Sequence, residues 1–238
     1  MISFGDEKQE QAGIAKSSSF LALLLLVPVP SIGVLMGMVI APNFIGKAIF
    51  FVSKIWILLL PLFWHVYVDK RKLSLSKPER GGFVVAGLLG IIISLVIFAL
   101  YFTLGRHLIE PKLVKDMAAG VGLDDVRLYV LGAAYWILVN AALEEYVWRW
   151  FVTEKCKSLV PVNAAILLSA FFFTIHHAIA VSIYFSFPMV LIASAGVFAG
   201  GVIWSWCYNR YRSIWPGYLS HAIVDLTIFI IGYILIFK

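Results

Sequence analysis

Seven long runs of apolar residues, separated by short polar connections, dominate the sequence. A helix that crosses a bilayer needs roughly 20 predominantly apolar residues. Runs of about that length occur near residues 20–41, 48–68, 83–105, 130–153, 161–181, 187–207 and 215–237. The pattern predicts an all-α, polytopic membrane protein with about seven transmembrane helices. Pro28 and Pro30 fall inside the first run, so we expect a kink or a partly re-entrant segment there.

The composition agrees with a membrane protein and excludes several other classes. Apolar residues make up 62% of the 238 positions and charged residues only 13%. A soluble domain of this size could not cover so much apolar surface. No arginine-rich face or aromatic platform indicates a nucleic-acid partner. The two cysteines form neither a disulfide framework nor a zinc motif. The lipid bilayer is therefore the expected environment.

The basic residues predict the orientation of the chain. Alternate connections carry most of them: Lys8 and Lys16; Lys70, Arg71, Lys72, Lys77 and Arg80; Lys155 and Lys157; Arg210 and Arg212. Connections rich in lysine and arginine remain on the cytoplasmic side. We therefore expect a cytoplasmic N-terminus and a cytoplasmic loop at 69–82.

A small set of ionisable residues lies inside the apolar runs. A charged group in the hydrocarbon costs at least ~2.5–3.5 kcal/mol, so each one needs a physical reason. Lys54 and His65 can be explained by snorkelling and by packing near an interface. The others come from three helices of the C-terminal half: Glu144, Glu145, Arg149, His176, His177, His221 and Asp225. They could serve as interhelical contacts, but together they favour a site inside the helix bundle.

Helical geometry suggests separate roles for these residues. Glu145 and Arg149 are four residues apart, share a face and can pair. Glu144 is rotated by about 100° from Glu145 on an ideal helix, so we expect it to lack a local partner and to be the better candidate for a general base. His221 and Asp225 also share a face. His176 and His177 are about 100° apart, so only one is expected to face the bundle centre.

The nature of the residues points to hydrolysis by an activated water molecule. One glutamate, two histidines and an aspartate could hold one water and take its proton. The sequence has neither a serine or cysteine nucleophile with a matching base nor an H-E-x-x-H zinc motif.

Three motifs in this order resemble the CAAX protease and bacteriocin-processing (CPBP, or Abi) family of intramembrane proteases. They are E-E-x-x-x-R at 144–149, F-x-x-x-H at 172–176 or 173–177, and H-x-x-x-N/D at 221–225. The resemblance covers about residues 130–230. It implies an intramembrane endopeptidase in which Glu144 activates water, and the substrate would be a membrane-associated peptide or protein. His176 or His177, together with His221, would shape the water and oxyanion site, and Asp225 would orient His221. No metal would be required.

The last motif position separates members of that family. Its prenyl-protein proteases carry asparagine there, and this chain has Asp225. The aspartate favours a substrate other than a CAAX protein. It also keeps a zinc version open, in which Glu144 is the base and His177 or His176, His221 and Asp225 are ligands.

The motifs divide the chain into three parts. We interpret 1–19 as a polar tail, 20–127 as transmembrane helices and loops without motif, and 128–238 as the catalytic core. The alternative function is a non-proteolytic membrane protein, either a proton-coupled transporter or an immunity or scaffold protein, because such proteins also use intramembrane carboxylates and histidines. A transporter often shows an internal repeat, which is not evident here. Gly196 and Gly200 form a G-x-x-x-G pair that predicts close helix packing.

Overall fold

The protein is a bundle of seven long apolar helices, described by a computed structural model. The structure describes residues 4–73 and 76–238, and the side chains of 13–73 and 76–238. Within these residues 85% of the chain is helical and no strand occurs. Seven helices are long and apolar enough to cross a membrane: Gly13–Ile40, Phe44–Val68, Phe83–Leu108, Val126–Lys157, Val162–Ser182, Phe187–Tyr211 and Ile214–Phe237. We call them the first to seventh spans. The predicted fold class is confirmed.

The spans are not uniform α-helices. The first consists of α-helices Phe4–Leu26 and Pro28–Leu35 and the π-helical turn Met36–Ile40, and the second of Phe44–Phe63 and the π-helical turn Trp64–Val68. The third consists of Phe83–Leu100, the π-helical turn Tyr101–Gly105 and Arg106–Leu108. The α-helix breaks at Val27, directly before Pro28, as the two prolines predicted.

The largest differences from the predicted boundaries lie at the ends of helices. The segment 1–19, which the sequence predicts to be a polar tail, is helical from Phe4 onward. The fourth span extends from Val126 to Lys157, four residues beyond the predicted 130–153 at each end. An additional helix, Pro111–Gly120, lies in the connection between the third and fourth spans. Pro111 lies in the first turn of this helix, where backbone N–H groups have no intrahelical partner. The N–H that proline lacks therefore costs no hydrogen bond.

Small residues set the close crossings between spans. The third span lies against the seventh at Gly90, where an added Cβ atom would come 3.0 Å from the Ser220 carbonyl oxygen. The fifth and sixth spans meet at Gly201, where a Cβ atom would come 3.1 Å from Cβ of Ala170. These crossings pack the motif-bearing seventh and fifth spans against the third and sixth spans.

The prediction of close helix packing is wrong at Gly196, where a Cβ atom would meet nothing within 4 Å. The three atoms nearest to a Cβ atom at Gly200 belong to the ring of Trp204 on the same span. The neighbouring Gly201 makes the interhelical contact instead. A G-x-x-x-G spacing specifies two residues on one face, but it does not specify which face meets a neighbour.

Candidate active site

The fourth span changes its helical geometry around the two glutamates. A single α-helical turn, Ala141–Glu144, lies between π-helical segments Trp136–Asn140 and Glu145–Thr153. A π-helix leaves backbone carbonyls without their usual partners, and such segments are frequent at functional sites. Here the carbonyl oxygen of Trp148 accepts hydrogen bonds from Thr153 Oγ1 at 2.9 Å and from Ser169 Oγ at 2.8 Å. Ser169 belongs to the fifth span, so this contact holds the two spans together beside the site.

Glu145 joins the fourth span to the seventh. Its Oε1 atom lies 3.4 Å from Nε of Arg149 and 3.1 Å from Nδ1 of His221, and both Glu145 and Arg149 are fully buried. The predicted pairing of Glu145 with Arg149 is present. An ionised carboxylate only accepts hydrogen bonds, so Nδ1 of His221 carries the hydrogen. The contact fixes the orientation of the imidazole ring and turns Nε2 toward the remaining acids.

Asp225 does not orient His221 in the way that the sequence suggested. Its Oδ1 atom lies 3.7 Å from Nε2 of His221, which is longer than a hydrogen bond. The orienting contact comes from Glu145 instead, on another span. Asp225 adds a second carboxylate on the Nε2 side of the ring, because Oε2 of Glu144 lies 3.6 Å from the same nitrogen.

Two aromatic rings enclose the Arg149 guanidinium. Its carbon atom lies 4.4 Å from the centre of the Phe173 ring and 5.2 Å from the Trp204 ring. None of its three nitrogen atoms has a well-aligned hydrogen bond among the described residues. The charge is therefore balanced by Glu145 and by the two ring faces, since a guanidinium is attracted to an aromatic π-system.

Glu144 has a partner that the sequence analysis missed. Nδ2 of Asn140 donates a hydrogen bond of 2.9 Å to Oε1 of Glu144. The expectation that Glu144 has no local partner is thus wrong. The signal was available, because residues four apart on a helix face each other. The hydrogen bond fixes one oxygen of the carboxylate and leaves Oε2 directed toward His221.

Both histidines of the fifth span lie beside Glu144, although we expected only one to do so. Side-chain ligand atoms of Glu144, His176 and His177 all lie within 4.8 Å of one another. The Phe173 carbonyl lies 2.9 Å from Nδ1 of His177, so this nitrogen carries a hydrogen and Nε2 remains for the site. His176 stacks on Trp148, with ring centres 5.2 Å apart and planes at 10°.

This group has the composition of a metal site. Two imidazoles and one carboxylate are a frequent zinc ligand set, and their spacing would allow one ion between them. The set differs from the one considered from the sequence, because Glu144 would be a ligand while His221 and Asp225 would not. A water-activating base would then have to come from another residue.

Trp204 forms one wall of the site. Its ring stacks on His221 with centres 3.8 Å apart and planes at 13°, and its Nε1 donates to Ser220 Oγ at 3.2 Å. The residue is buried on the sixth span, a span to which the sequence analysis assigned no site residue. Tryptophan within an apolar run gives no signal of this kind, because it is indistinguishable from a packing residue.

Gly217 leaves room for the Glu145 carboxylate. A Cβ atom at position 217 would lie 2.7 Å from Oε2 of Glu145, closer than two such atoms can approach without a shift. The first turn of the seventh span therefore needs glycine here so that the carboxylate can sit between His221 and Arg149.

Comparison with known proteins agrees with the three motifs. Residues 126–227 match the protein family described as "Type II CAAX prenyl endopeptidase Rce1-like". This segment contains all seven residues that the sequence analysis selected, and the match confirms the predicted resemblance to CAAX-type proteases. The family description names an endopeptidase, so the match supports peptide-bond hydrolysis in general. No curated protein and no solved structure matched the chain.

Proposed function

We propose that this chain, whose C-terminal half is similar to the Rce1-like endopeptidases, cleaves membrane-associated peptides or proteins by using water activated by Glu144. The observation that supports this most is the convergence of Glu144, His177 and His221 from three different spans. An oriented carboxylate beside two imidazoles, enclosed by a helix bundle, is what general-base hydrolysis requires. The bilayer would present the substrate laterally or from its surface.

In the proposed first step, Glu144 accepts a proton from water. Its Oε1 atom is held by Asn140, so Oε2 has free lone pairs for this proton. Nε2 of His177 serves as a second acceptor and orients the other hydrogen of the water, because its Nδ1–H is committed to the Phe173 carbonyl. The water oxygen then attacks the peptide carbonyl carbon, and the carbonyl oxygen becomes an oxyanion.

In the second step, His221 stabilises that oxyanion and the C–N bond breaks. We assign a proton to both nitrogens of its ring, with Nδ1–H donated to Glu145 and Nε2–H directed into the site, where Glu144 and Asp225 lie at 3.6 and 3.7 Å. Donors that are already oriented toward a developing charge lower the barrier without reorganising. Glu144 returns its proton to the leaving nitrogen, giving a carboxylic acid and a free amine, and the acid then ionises while the amine takes up that proton.

A metal-dependent variant has a defined set of candidate ligands. Glu144, His176 and His177 would hold a zinc ion, which would polarise the carbonyl and acidify a bound water. In that variant Asn140 and Phe173 would orient the ligands Glu144 and His177. We favour direct activation by Glu144. The hydrogen bond from Asn140 occupies Oε1 and leaves Oε2 facing His221, so Oε2 can accept the proton of the attacking water on the side where His221 stabilises the oxyanion.

The test is cleavage of a peptide library by the purified protein in lipid nanodiscs. New N-termini, identified by mass spectrometry, would report internal peptide-bond cleavage. The matched variants are Glu144→Gln and Glu110→Gln, since Glu110 is an exposed acid outside the spans. We expect cleavage by the wild type and Glu110→Gln and none by Glu144→Gln. If the folded wild-type protein cleaves no peptide, a transport or scaffold function is favoured instead.

A further inference from the structure

Lys54 places a positive charge near the middle of the second span. It lies ten residues from Phe44 and fourteen from Val68, or roughly 15 and 21 Å at 1.5 Å per residue. Snorkelling, which the sequence suggested for Lys54, does not explain its position, because both ends of the span are farther away than a lysine side chain extends. An ammonium at this depth costs at least ~2.5–3.5 kcal/mol, so it requires a specific partner or function.

Three contacts fix the register between the second and fourth spans. Tyr146 donates to the Leu58 carbonyl at 3.1 Å. The rings of Trp150 and His65 lie 4.6 Å apart, and Lys155 Nζ lies 2.6 Å from Oδ2 of Asp69. From the first of these contacts to the third, the residue numbers increase in both spans, so the two spans run in the same direction.

This register places Lys54 close to the depth of Glu144. From the contact between Tyr146 and Leu58, Lys54 lies four residues back along its span and Glu144 two residues back, a difference of about 3 Å in depth. The other two contacts give differences of five and four residues, or about 8 and 6 Å. The proposed base and the intramembrane cation therefore lie within about 8 Å of each other in depth.

The face of the helix also directs Lys54 toward the site. Lys54 and Leu58 are four residues apart and share the face that meets the fourth span. The adjacent Ser53 instead packs on the first span, where a Cβ atom at Gly33 would lie 2.9 Å from its side chain. The ammonium interacts electrostatically with Glu144, His176 and His177.

Lys54 differs from the other cation of the site in having no ion-pair partner. Arg149 is buried and paired with Glu145. Lys54 is exposed, and no carboxylate oxygen of the described residues lies within 4.0 Å of its Nζ. Among the described residues, its one close ring contact is with Phe50 of its own span, at 5.5 Å. Its three N–H donors are therefore available to a ligand.

We infer that Lys54 binds a carboxylate of the peptide substrate and so positions the scissile bond beside Glu144. This inference rests on the proposed peptidase function. Carboxylates are the only anionic groups of an unmodified peptide, and they come from two sources, the C-terminus or an Asp or Glu side chain. In an environment of low dielectric constant the charge pair is strong, because both partners lose little further hydration when they meet.

The experiment compares matched peptides that differ only in one carboxylate. One pair has a free or an amidated C-terminus, and the other has Glu or Gln within about four residues of the cleaved bond. Values of kcat and KM are measured for the wild type, Lys54→Gln and Lys54→Arg. Lys47→Gln is the control, since Lys47 is an exposed lysine near the end of the same span. Lys54→Met replaces Lys54→Gln if that variant does not fold.

We expect the wild type and Lys47→Gln to favour the carboxylate form of one pair by about tenfold or more in kcat/KM, mainly through KM. This is the range of a charge-assisted hydrogen bond. Lys54→Gln should reduce the ratio to about one, and Lys54→Arg should retain most of it. The pair that shows the effect identifies the source of the carboxylate.

Three results would overturn the inference. They are a wild type without carboxylate preference, a Lys54→Gln variant that keeps the preference, and a Lys54→Gln variant whose kcat falls equally on every peptide. The last result would assign Lys54 to the oxyanion rather than to the substrate.

A binding measurement separates this inference from the proposed function. The same peptides, fluorescently labelled, are titrated against the wild type and Lys54→Gln, and anisotropy is recorded. If no peptide is cleaved, the peptidase function fails. The binding of a carboxylate by Lys54 is then tested by anisotropy alone. The wild type must bind the carboxylate form more tightly, and Lys54→Gln must lose that preference.

Discussion

Nδ1 of His221 lies 3.1 Å from Oε1 of Glu145, and this contact ties the seventh span to the fourth. It gives the two adjacent glutamates different roles. Glu145 is fully buried, holds the imidazole and balances Arg149. Glu144 is less buried, is held by Asn140 and faces the histidines of the fifth span. The proposed mechanism therefore gives Glu145 a structural role and Glu144 the reactive one.

Replacing Arg149 with alanine should harm folding more than chemistry. The change strands Glu145 as a buried unpaired charge, at a cost of roughly 3–5 kcal/mol in the free energy of unfolding. Denaturant titration in detergent measures this cost, and Arg210→Ala, which removes an exposed arginine, should cost far less. A well-folded but inactive Arg149→Ala protein would assign the arginine to catalysis instead.

Gly217→Ala should reduce turnover by displacing the Glu145 carboxylate. The added Cβ atom would meet Oε2 at 2.7 Å, and such overpacking costs about 1–3 kcal/mol. The contact with His221 should lengthen as a result. Gly196→Ala is the matched control, since its Cβ atom meets nothing within 4 Å, and it should be neutral. Equal activity of the two variants would show that the position of Glu145 is unimportant.

Removing the ring of Trp204 should lower kcat by releasing His221. Trp204→Leu loses the stacked contact at 3.8 Å, and a misplaced catalytic group costs roughly 10–100-fold in rate. Trp204→Phe keeps an aromatic face and should recover much of that loss. Trp206→Leu, at an exposed tryptophan of the same span, should leave kcat unchanged. If Trp204→Leu raises only KM, the ring contacts substrate rather than positioning His221.

The distribution of basic residues predicts that the 69–82 loop faces the cytoplasm. A cysteine introduced at Glu79, which is exposed, should resist a membrane-impermeant maleimide added to intact cells. A cysteine at Asp124, exposed in the loop before the fourth span, should be labelled. The natural Cys156 and Cys207 are buried and should give little background. The reverse labelling pattern would invert the whole topology.

The seven spans could be predicted from hydropathy because length and apolar character are local properties of the sequence. The seven ionisable residues could also be selected, since burying any of them in the membrane is costly. The match over residues 126–227 covers the segment in which all seven lie. What the sequence could not provide was the relative depth of the helices. His177 lies near the end of its span and His221 near the start of its own, yet both lie close to Glu144.

The orientation of the site residues was harder to predict for a physical reason. A helical wheel assumes about 100° per residue, but the fourth span changes between α and π geometry at Glu144 and Glu145. The directions in which the two glutamates point, relative to the rest of the span, therefore differ from those on an ideal helical wheel. The contact from Asn140 to Glu144 was predictable from its spacing. The contact from Glu145 to His221 was not, because it depends on how Gly217 lets the seventh span approach.

The most direct test of the central claim is the turnover of Glu144→Gln and of chelator-treated wild type on one cleaved peptide, with zinc measured in the same samples. Glutamine keeps the volume of the side chain but cannot accept a proton. We predict a folded Glu144→Gln protein without turnover, and a wild type that contains well under one equivalent of zinc and retains its activity after chelation. Near-normal turnover by Glu144→Gln would contradict the role of Glu144. Stoichiometric zinc whose removal stops turnover would contradict direct activation and assign Glu144, His176 and His177 to a metal centre.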